Sequence, residues 1–137
     1  AWIFAMIVVT LAFWGLGASA FAKDVAVIES EMVAAAKWVA ENTEAEALIA
    51  AHDIGALGFF GNRRILDLAG LISPEVISII RDESRLEGYL DEKGVEYLVC
   101  FPGWYPELTQ KAKLIYSTGG LFSLAQGGEN IQVFQWR

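Results

Sequence analysis

The first 22 residues contain no charged side chain and no histidine, whereas every charge of the chain lies in residues 23–137. A helix of this length spans about 33 Å, which is enough to cross a hydrocarbon core of about 30 Å. Small residues cluster between Gly15 and Ala20, and such clusters let helices approach closely inside a membrane. We therefore interpret residues 1–22 as a transmembrane helix.

Two other interpretations of this segment are open. Ala20-Phe21-Ala22 is typical of a signal-peptidase site, but the apolar run exceeds the usual core of about 7–15 residues and no basic region precedes it. A buried helix of a soluble protein would need a larger core than 137 residues can build. Because the chain starts at Ala1 rather than Met, we expect a longer parent protein.

Composition excludes several classes of protein. Apolar residues make up 55% of the chain, which excludes global disorder. Asp and Glu outnumber Lys and Arg by 17 to 10, so we expect no nucleic-acid partner. Cys100 is the only cysteine and His52 the only histidine, so neither an intrachain disulfide nor a Cys/His zinc cluster can form. We predict no metal and no cofactor.

Residues 23–43 predict a connecting amphipathic helix. Residues 23–42 contain neither Gly nor Pro, and apolar side chains recur with helical spacing. These are Val25, Ile28, Met32, Ala35 and Val39. The polar face has more acid than base, which is unlike a helix on a lipid surface. We expect the apolar face to dock on the following domain, with Glu29 and Glu31 in solvent.

Residues 44–137 are typical of a small α/β domain with a mixed sheet. The expected strands are 47–53, 56–60, 64–69, 95–101, Leu114–Ser117 and Ile131–Trp136. Gly61-Asn62 favours a hairpin between 56–60 and 64–69. Expected helices cover about 74–80 after Ser73, the stretch from Asp82 to Gly94, and a turn at 106–111.

His52-Asp53 follows the first predicted strand, where α/β folds commonly place ligand sites. A His beside an Asp could act as a base or a metal ligand. Neighbouring strand residues point to opposite faces, however, so a structural role is favoured. We expect Asp53 to accept backbone N–H bonds from the Ile54-Gly55 turn, within a polar network of His52, Asp53 and Asp67.

Two further groups are candidate binding residues. Arg63 and Arg64 could bind a phosphate bidentately; the alternative is an Arg–Asp pair that holds the hairpin to the first strand through Asp53. Trp104 and Tyr105 lie in a loop after a buried strand, where aromatic rings either stack on sugar rings or cover a small core.

No self-sufficient active site is visible, so we predict no catalytic residue. Gly55, Gly58 and Gly61 have the spacing G-x-x-G-x-x-G, which is not the dinucleotide fingerprint. Cys100 has apolar neighbours and no nearby base, which indicates an inert core residue.

Three segments together resemble a known family. They are Trp38-Val39-Ala40-Glu41-Asn42-Thr43, the run from Ala51 to Phe60 (AHDIGALGFF), and the run from Arg64 to Leu71 (RILDLAGL). This order is similar to the C-terminal region of bacterial GT-C-type membrane glycosyltransferases and related uncharacterised membrane proteins. The resemblance covers about residues 30–105, and the preceding apolar helix is in the expected place.

The resemblance implies a parent enzyme that uses a polyprenyl-phosphate-linked sugar as donor. The C-terminal domain of those enzymes is extracytoplasmic and follows the last membrane helix. Their catalytic carboxylate lies in an early loop, far upstream of the matching region, so this chain alone is not expected to be catalytic. The expected partners are the lipid bilayer, the other membrane helices of the parent, and a glycan or polyprenyl-phosphate sugar. The alternative is a non-enzymatic, membrane-anchored interaction or assembly domain.

Overall fold

A computed structural model describes residues 2–136. One continuous helix runs from Trp2 to Asn42 and is long and apolar enough over its first part to cross a membrane. It comprises α1 (Trp2–Val27), a π-helical segment (Ile28–Val33) and α2 (Ala34–Asn42). No residue of α1 is buried, and residues 2–25 are exposed along their whole length.

A five-stranded mixed sheet follows this helix. The strands are β1 (Leu48–Ala51), β2 (Arg64–Asp67), β3 (Tyr97–Cys100), β4 (Lys113–Ser117) and β5 (Gln132–Gln135), in the spatial order β2-β1-β3-β5-β4. Both β2 and β3 are parallel to β1, whereas β5 is antiparallel to β3 and β4. The helices between the strands are α3 (Glu83–Lys93), α4 (Pro106–Lys111) and α5 (Leu121–Ala125). The predicted α/β class with a mixed sheet is therefore confirmed.

The sheet separates two apolar cores. Side chains alternate along each strand, so that Ile49 and Ala51 of β1 face α2, while Ala50 faces α3. The α2 side also contains Ala35, Ala36, Val39, Leu57, Val99, Ile131 and Val133. The α3 side contains, among others, Leu86, Leu90, Leu98, Leu108 and Phe134. The domain thus has three layers, with α2 on one face and α3 with α4 on the other.

The segment between β1 and β2 differs from the expectation. Residues 56–60 are not a strand, because Leu57–Gly61 forms a π-helical turn. Its backbone bonds run along the chain, as in the 2.8 Å bond from the Gly58 amide to the Ile54 carbonyl. The turn packs on α2, where Leu57 is buried. The predicted hairpin is therefore wrong, and β2 lies parallel to β1.

Helix α3 forms as its sequence predicts. Asp82 caps the start by accepting the Arg85 amide, which satisfies one of the free N–H groups of the first turn. Gly94 ends the helix with a φ of 71°, a left-handed conformation that glycine adopts without steric cost. The helix expected after Ser73 is shorter, a 3-10 segment at Pro74–Ser78 without a side-chain cap.

Glu31 joins the long helix to the domain, and its placement in solvent was a wrong expectation. The side chain is fully buried. Its carboxylate accepts hydrogen bonds from the Asn130 amide at 3.0 Å, the Ile131 backbone N–H at 2.9 Å and the Thr118 hydroxyl. Three donors near the ends of β4 and β5 therefore hold the π-helical segment.

Gly120 makes this contact possible. A Cβ atom at Gly120 would lie 2.6 Å from Oε1 of Glu31 and 3.5 Å from Cβ of Ser30. Only glycine lets the chain before α5 approach the helix so closely.

Candidate functional site

The carboxyl ends of β1 and β3 define the candidate site. The connection that leaves β1 carries the Leu57–Gly61 turn, which packs with α2. The connection that leaves β3 carries α4, whose Leu108 packs on the opposite face of the sheet. Neighbouring parallel strands whose connections diverge in this way leave a crevice at their carboxyl ends, which is where ligands bind in open α/β sheets.

Three residues named by the sequence meet in this crevice. Oη of Tyr105 lies 2.7 Å from Nδ1 of His52, and the Trp104 ring meets the His52 ring edge-on with centroids 4.6 Å apart. Phe101 packs edge-on against Trp104 at 5.0 Å. Tyr105 is buried, whereas 47% of the Trp104 surface is exposed. Trp104 is therefore the part of this cluster that a ligand could cover.

The hydrogen bond between His52 and Tyr105 sets the orientation of the imidazole. Burial raises the pKa of the Tyr105 phenol well above its ordinary value, and the neighbouring Cys100 and the carboxylates of Asp67 and Glu83 add to that effect. The phenol stays protonated at neutral pH, and we assign it as the donor to Nδ1 of His52. Nε2 then carries the N–H and is left to donate to another group.

Two openings flank Trp104. The first, which we call the inner groove, has a volume of about 590 Å³. It is lined by Val27, Met32, Phe101, Gly103, Trp104, Ser123, Gly127, Gly128 and Glu129. The second, which we call the His52 pocket, has about 330 Å³ and is lined by His52, Ile80, Trp104 and Tyr105. Both volumes fall within the range of about 300–1,000 Å³ that small-molecule sites occupy.

Glu129 fixes the loop that carries Trp104. Its Oε2 accepts the Gly103 backbone N–H at 2.8 Å. A Cβ atom at Gly103 would lie 2.9 Å from Oε1, so a larger residue at this position would displace the carboxylate. Glu129 also supplies the carboxylate of the inner groove. An aromatic face beside a carboxylate and an imidazole N–H suits recognition of a ring that bears hydroxyl groups.

Arg63 lies outside this cleft and completes the end of α2. Its Nη2 donates to the carbonyls of Ala40 at 2.7 Å and Thr43 at 2.8 Å, and its Nε donates to Oγ1 of Thr43 at 3.0 Å. Nη1 donates to the Asn62 carbonyl. Within residues 2–136 Arg63 forms no ion pair with Asp53 or Asp67, so the expected Arg–Asp pair is wrong. The guanidinium instead satisfies carbonyls at the helix C-terminus, where positive charge is stabilising.

Arg64 is exposed at the amino end of β2, across from Leu48. The cleft lies at the carboxyl end of the sheet, so the structure brings neither arginine to Trp104.

Substituting Arg63→Lys is expected to lower the free energy of unfolding by about 1–2 kcal/mol, because an ammonium group cannot reproduce the planar fork. The neighbouring Arg64→Lys is the matched control and should change stability by no more than about 0.5 kcal/mol. Urea denaturation of both variants measures the difference. Equal midpoints would show that the Arg63 hydrogen bonds do not stabilise the fold.

Asp67, not Asp53, organises a turn after a strand. Asp67 is fully buried, and its two carboxylate oxygens accept the Ala69 and Ile72 backbone N–H groups, each at 2.7 Å. Burial raises its pKa, but donation from backbone N–H groups outweighs burial and lowers the pKa below the usual 3.8. Asp53 lines a small cavity at the base of the cleft and makes no side-chain hydrogen bond within the described chain.

The sequence missed Glu129 as a site residue. It follows the Gly127-Gly128 turn and meets Gly103 only through the fold, so no local pattern reveals its role. Cys100 is buried as expected, and burial, with Glu83 and Glu129 nearby, raises the pKa of its thiol to about 12. The thiol is therefore protonated and unreactive at neutral pH. Among residues 2–136 there is no group of three or more His, Cys, Asp or Glu side chains placed to hold a metal ion.

The fold and the cleft define a three-layer α/β domain carried on a helix that is long enough to cross a membrane. The chain belongs to the family described as Domain of unknown function (DUF8728), which matches residues 22–134. No curated protein matches the chain, and no solved structure does.

Proposed function

We propose that this chain is the last membrane helix and the extracytoplasmic domain of a GT-C-type membrane glycosyltransferase. In this proposal the domain is an accessory module that binds acceptor glycan at the Trp104 cleft, and catalysis belongs to upstream parts of the parent protein. The bilayer and the other membrane helices of the parent are its constant partners. The resemblance of residues 30–105 to that family supports the proposal.

The observation that carries the binding role is the position of Trp104. Its half-exposed ring lines both the inner groove and the His52 pocket, and the rings of Phe101 and His52 pack edge-on against it. Val27, at the end of α1, lines the same groove. A glycan that grows at the membrane surface could reach this ring without leaving the membrane-proximal side of the domain.

Fluorine NMR tests this role in the full chain, reconstituted in lipid nanodiscs and labelled with 5-fluorotryptophan. The chain has five tryptophans, and Trp104→Phe identifies the Trp104 signal. Titration with di- and trisaccharides of common hexoses and pentoses should shift that signal first. Trp104→Ala removes this signal, so its affinity is measured by isothermal titration calorimetry beside the unsubstituted chain. It should be about tenfold weaker, which corresponds to about 1.4 kcal/mol of ring stacking.

Trp38→Phe is the matched control. Trp38 stacks on Tyr116 with centroids 4.7 Å apart and lies on α2, outside the residues that line the cleft. Its removal should leave saccharide binding unchanged. A shift produced only by a polyprenyl-phosphate sugar in the nanodisc would assign the cleft to the donor instead. No shift with any saccharide or lipid-linked sugar would contradict the binding role.

Exposed apolar side chains favour a second function, a membrane-anchored interaction or assembly domain. Leu71, Ile72 and Ile77 lie close together along the β2–α3 connection and are each more than 60% exposed. Such patches commonly mark protein contacts. An assembly domain would bind another segment of the parent or a separate membrane protein through this connection, and it would show no saccharide affinity.

A further inference from the structure

Helix α5 exposes apolar side chains next to the end of the membrane helix. Leu121 is 80% exposed and Leu124 is 50% exposed, and α5 contacts both α1 and the π-helical segment. Residues 114–128, which contain α5, form a stretch of fifteen residues without any charge. We propose that α5 lies against the bilayer surface and places Leu121 and Leu124 in contact with lipid.

The position of α5 along the long helix agrees with the depth of the headgroup layer. Ala22 ends the charge-free stretch, and Val27 lies five residues further on, which is about 7–8 Å along the helix axis. The headgroup layer on each side of a bilayer is about 5–8 Å thick. Val27 and Ser123 of α5 line the same groove, so α5 lies at the level of the lipid headgroups when residues 1–22 span the hydrocarbon core.

Hydrogen bonds from residues before and after α5 fix its position along the long helix. Thr118 precedes α5, and Asn130 and Ile131 follow it; all three donate to Glu31 of the π-helical segment. The continuous helix connects Glu31 directly to the membrane span. The domain therefore cannot move away from the bilayer without breaking this buried contact.

The side chains around α5 favour an apolar contact with lipid over an electrostatic one. The chain has a net charge of −7, and Asp24 and Glu29 are exposed near the same end of the helix. Attraction to anionic lipids would require Lys or Arg, and residues 114–128 have none. Leucine side chains buried at the boundary between headgroups and acyl chains supply the favourable free energy of this contact instead. The contact should therefore not depend on the charge of the lipid.

Spin-label accessibility tests this proposal in the full chain, reconstituted as one copy per nanodisc in phosphatidylcholine with and without phosphatidylglycerol. Single cysteines replace the exposed leucines in Leu124→Cys and Leu121→Cys. Leu114→Cys is the matched control, because Leu114 is also 50% exposed but lies four residues before Thr118, about 13 Å along the strand. The unsubstituted chain, whose Cys100 is buried, should take up no label.

Labels at 121 and 124 should collide several-fold more often with oxygen, and less often with a water-soluble nickel complex, than the label at 114. The pattern should be the same in both lipid mixtures. Equal accessibility at 124 and 114 would overturn the proposal, since α5 would then face water. An immobilised label at 124 that is shielded from both reagents would also overturn it, because protein would cover α5. Neither outcome depends on saccharide binding at Trp104.

Discussion

Replacing Glu31 with alanine is expected to lower the free energy of unfolding of the domain by about 3–5 kcal/mol. The carboxylate is buried and accepts from Thr118, Asn130 and Ile131. Alanine would leave the buried Ile131 N–H without an acceptor and would open a space beside Gly120. Total stability of a domain is about 5–15 kcal/mol, so this loss is a large part of it.

Urea denaturation of the full chain in nanodiscs, followed by near-UV circular dichroism, measures the effect. Glu29→Ala is the matched control, because Glu29 belongs to the same π-helical segment but is exposed. It should change stability by no more than about 0.5 kcal/mol. Glu31→Gln keeps the shape and one acceptor oxygen, so its effect should fall between the two. If Glu31→Ala were as mild as the control, the buried contact would not be what joins the helix to the domain.

The spacing of Glu31 gives one indication of this contact, although the sequence was interpreted as placing its side chain in solvent. Glu31 lies three residues after Ile28 and four before Ala35, which places it beside the apolar stripe of the predicted helix. The structure shows that Ala35 and Val39 of the stripe are buried and Met32 is partly buried, while Val25 and Ile28 are exposed. The π-helical segment rotates the side chains that follow it relative to those of a regular α-helix. No local pattern in the sequence predicts that change.

Local signals predicted some elements well and failed for others. Asp82 and Gly94 delimit α3 through capping chemistry that depends only on neighbouring residues. Residues 56–60 are a short apolar run, which cannot be assigned to a strand or a helix by periodicity alone. In the structure Leu57 packs on α2, and Leu57–Gly61 forms a helical turn. The parallel pairing of β1 with β2 depends on that turn, so the local sequence pattern alone could not predict it.

Some residues of the candidate site were also predicted from local signals, whereas their arrangement was not. His52 and Tyr105 were each recognised from their place after a buried strand, because the carboxyl ends of strands carry ligand sites. Their separation of 53 residues meant that only the order of strands could bring them together. Arg63 was a candidate because of its charge, but its hydrogen bonds go to α2, which is distant in sequence.

Substituting Asp67→Asn is expected to destabilise the domain at neutral pH by about 1–3 kcal/mol, because an amide has one acceptor oxygen where the carboxylate has two. The Ala69 and Ile72 N–H groups are now each bonded to a different oxygen. One of them would face the amide nitrogen in the variant. Asp53→Asn is the matched control, since Asp53 also follows a strand but makes no side-chain hydrogen bond within residues 2–136; it should stay within about 0.5 kcal/mol.

The same carboxylate predicts how stability depends on pH. Burial raises the pKa of Asp67, but its backbone N–H partners outweigh burial and lower the pKa below 3.8. The unfolded chain therefore takes up a proton at a higher pH than the native chain does, and acidification favours unfolding. The stabilisation is complete above the unfolded pKa of about 3.9 and is lost as the pH falls through the native pKa.

Denaturation curves measured between neutral pH and pH 3 should show stability falling at the acid end in the unsubstituted chain. Glu44 and Glu75 add to this slope, because backbone and tyrosine hydrogen bonds also lower the pKa of each. Asp67→Asn removes the contribution of Asp67, so its acid limb should be flatter and its difference from the unsubstituted chain should shrink as the pH falls. A difference that stays constant from pH 7 to pH 3 would mean that the charge of Asp67 does not stabilise the turn, and that shape alone accounts for its burial at the end of β2.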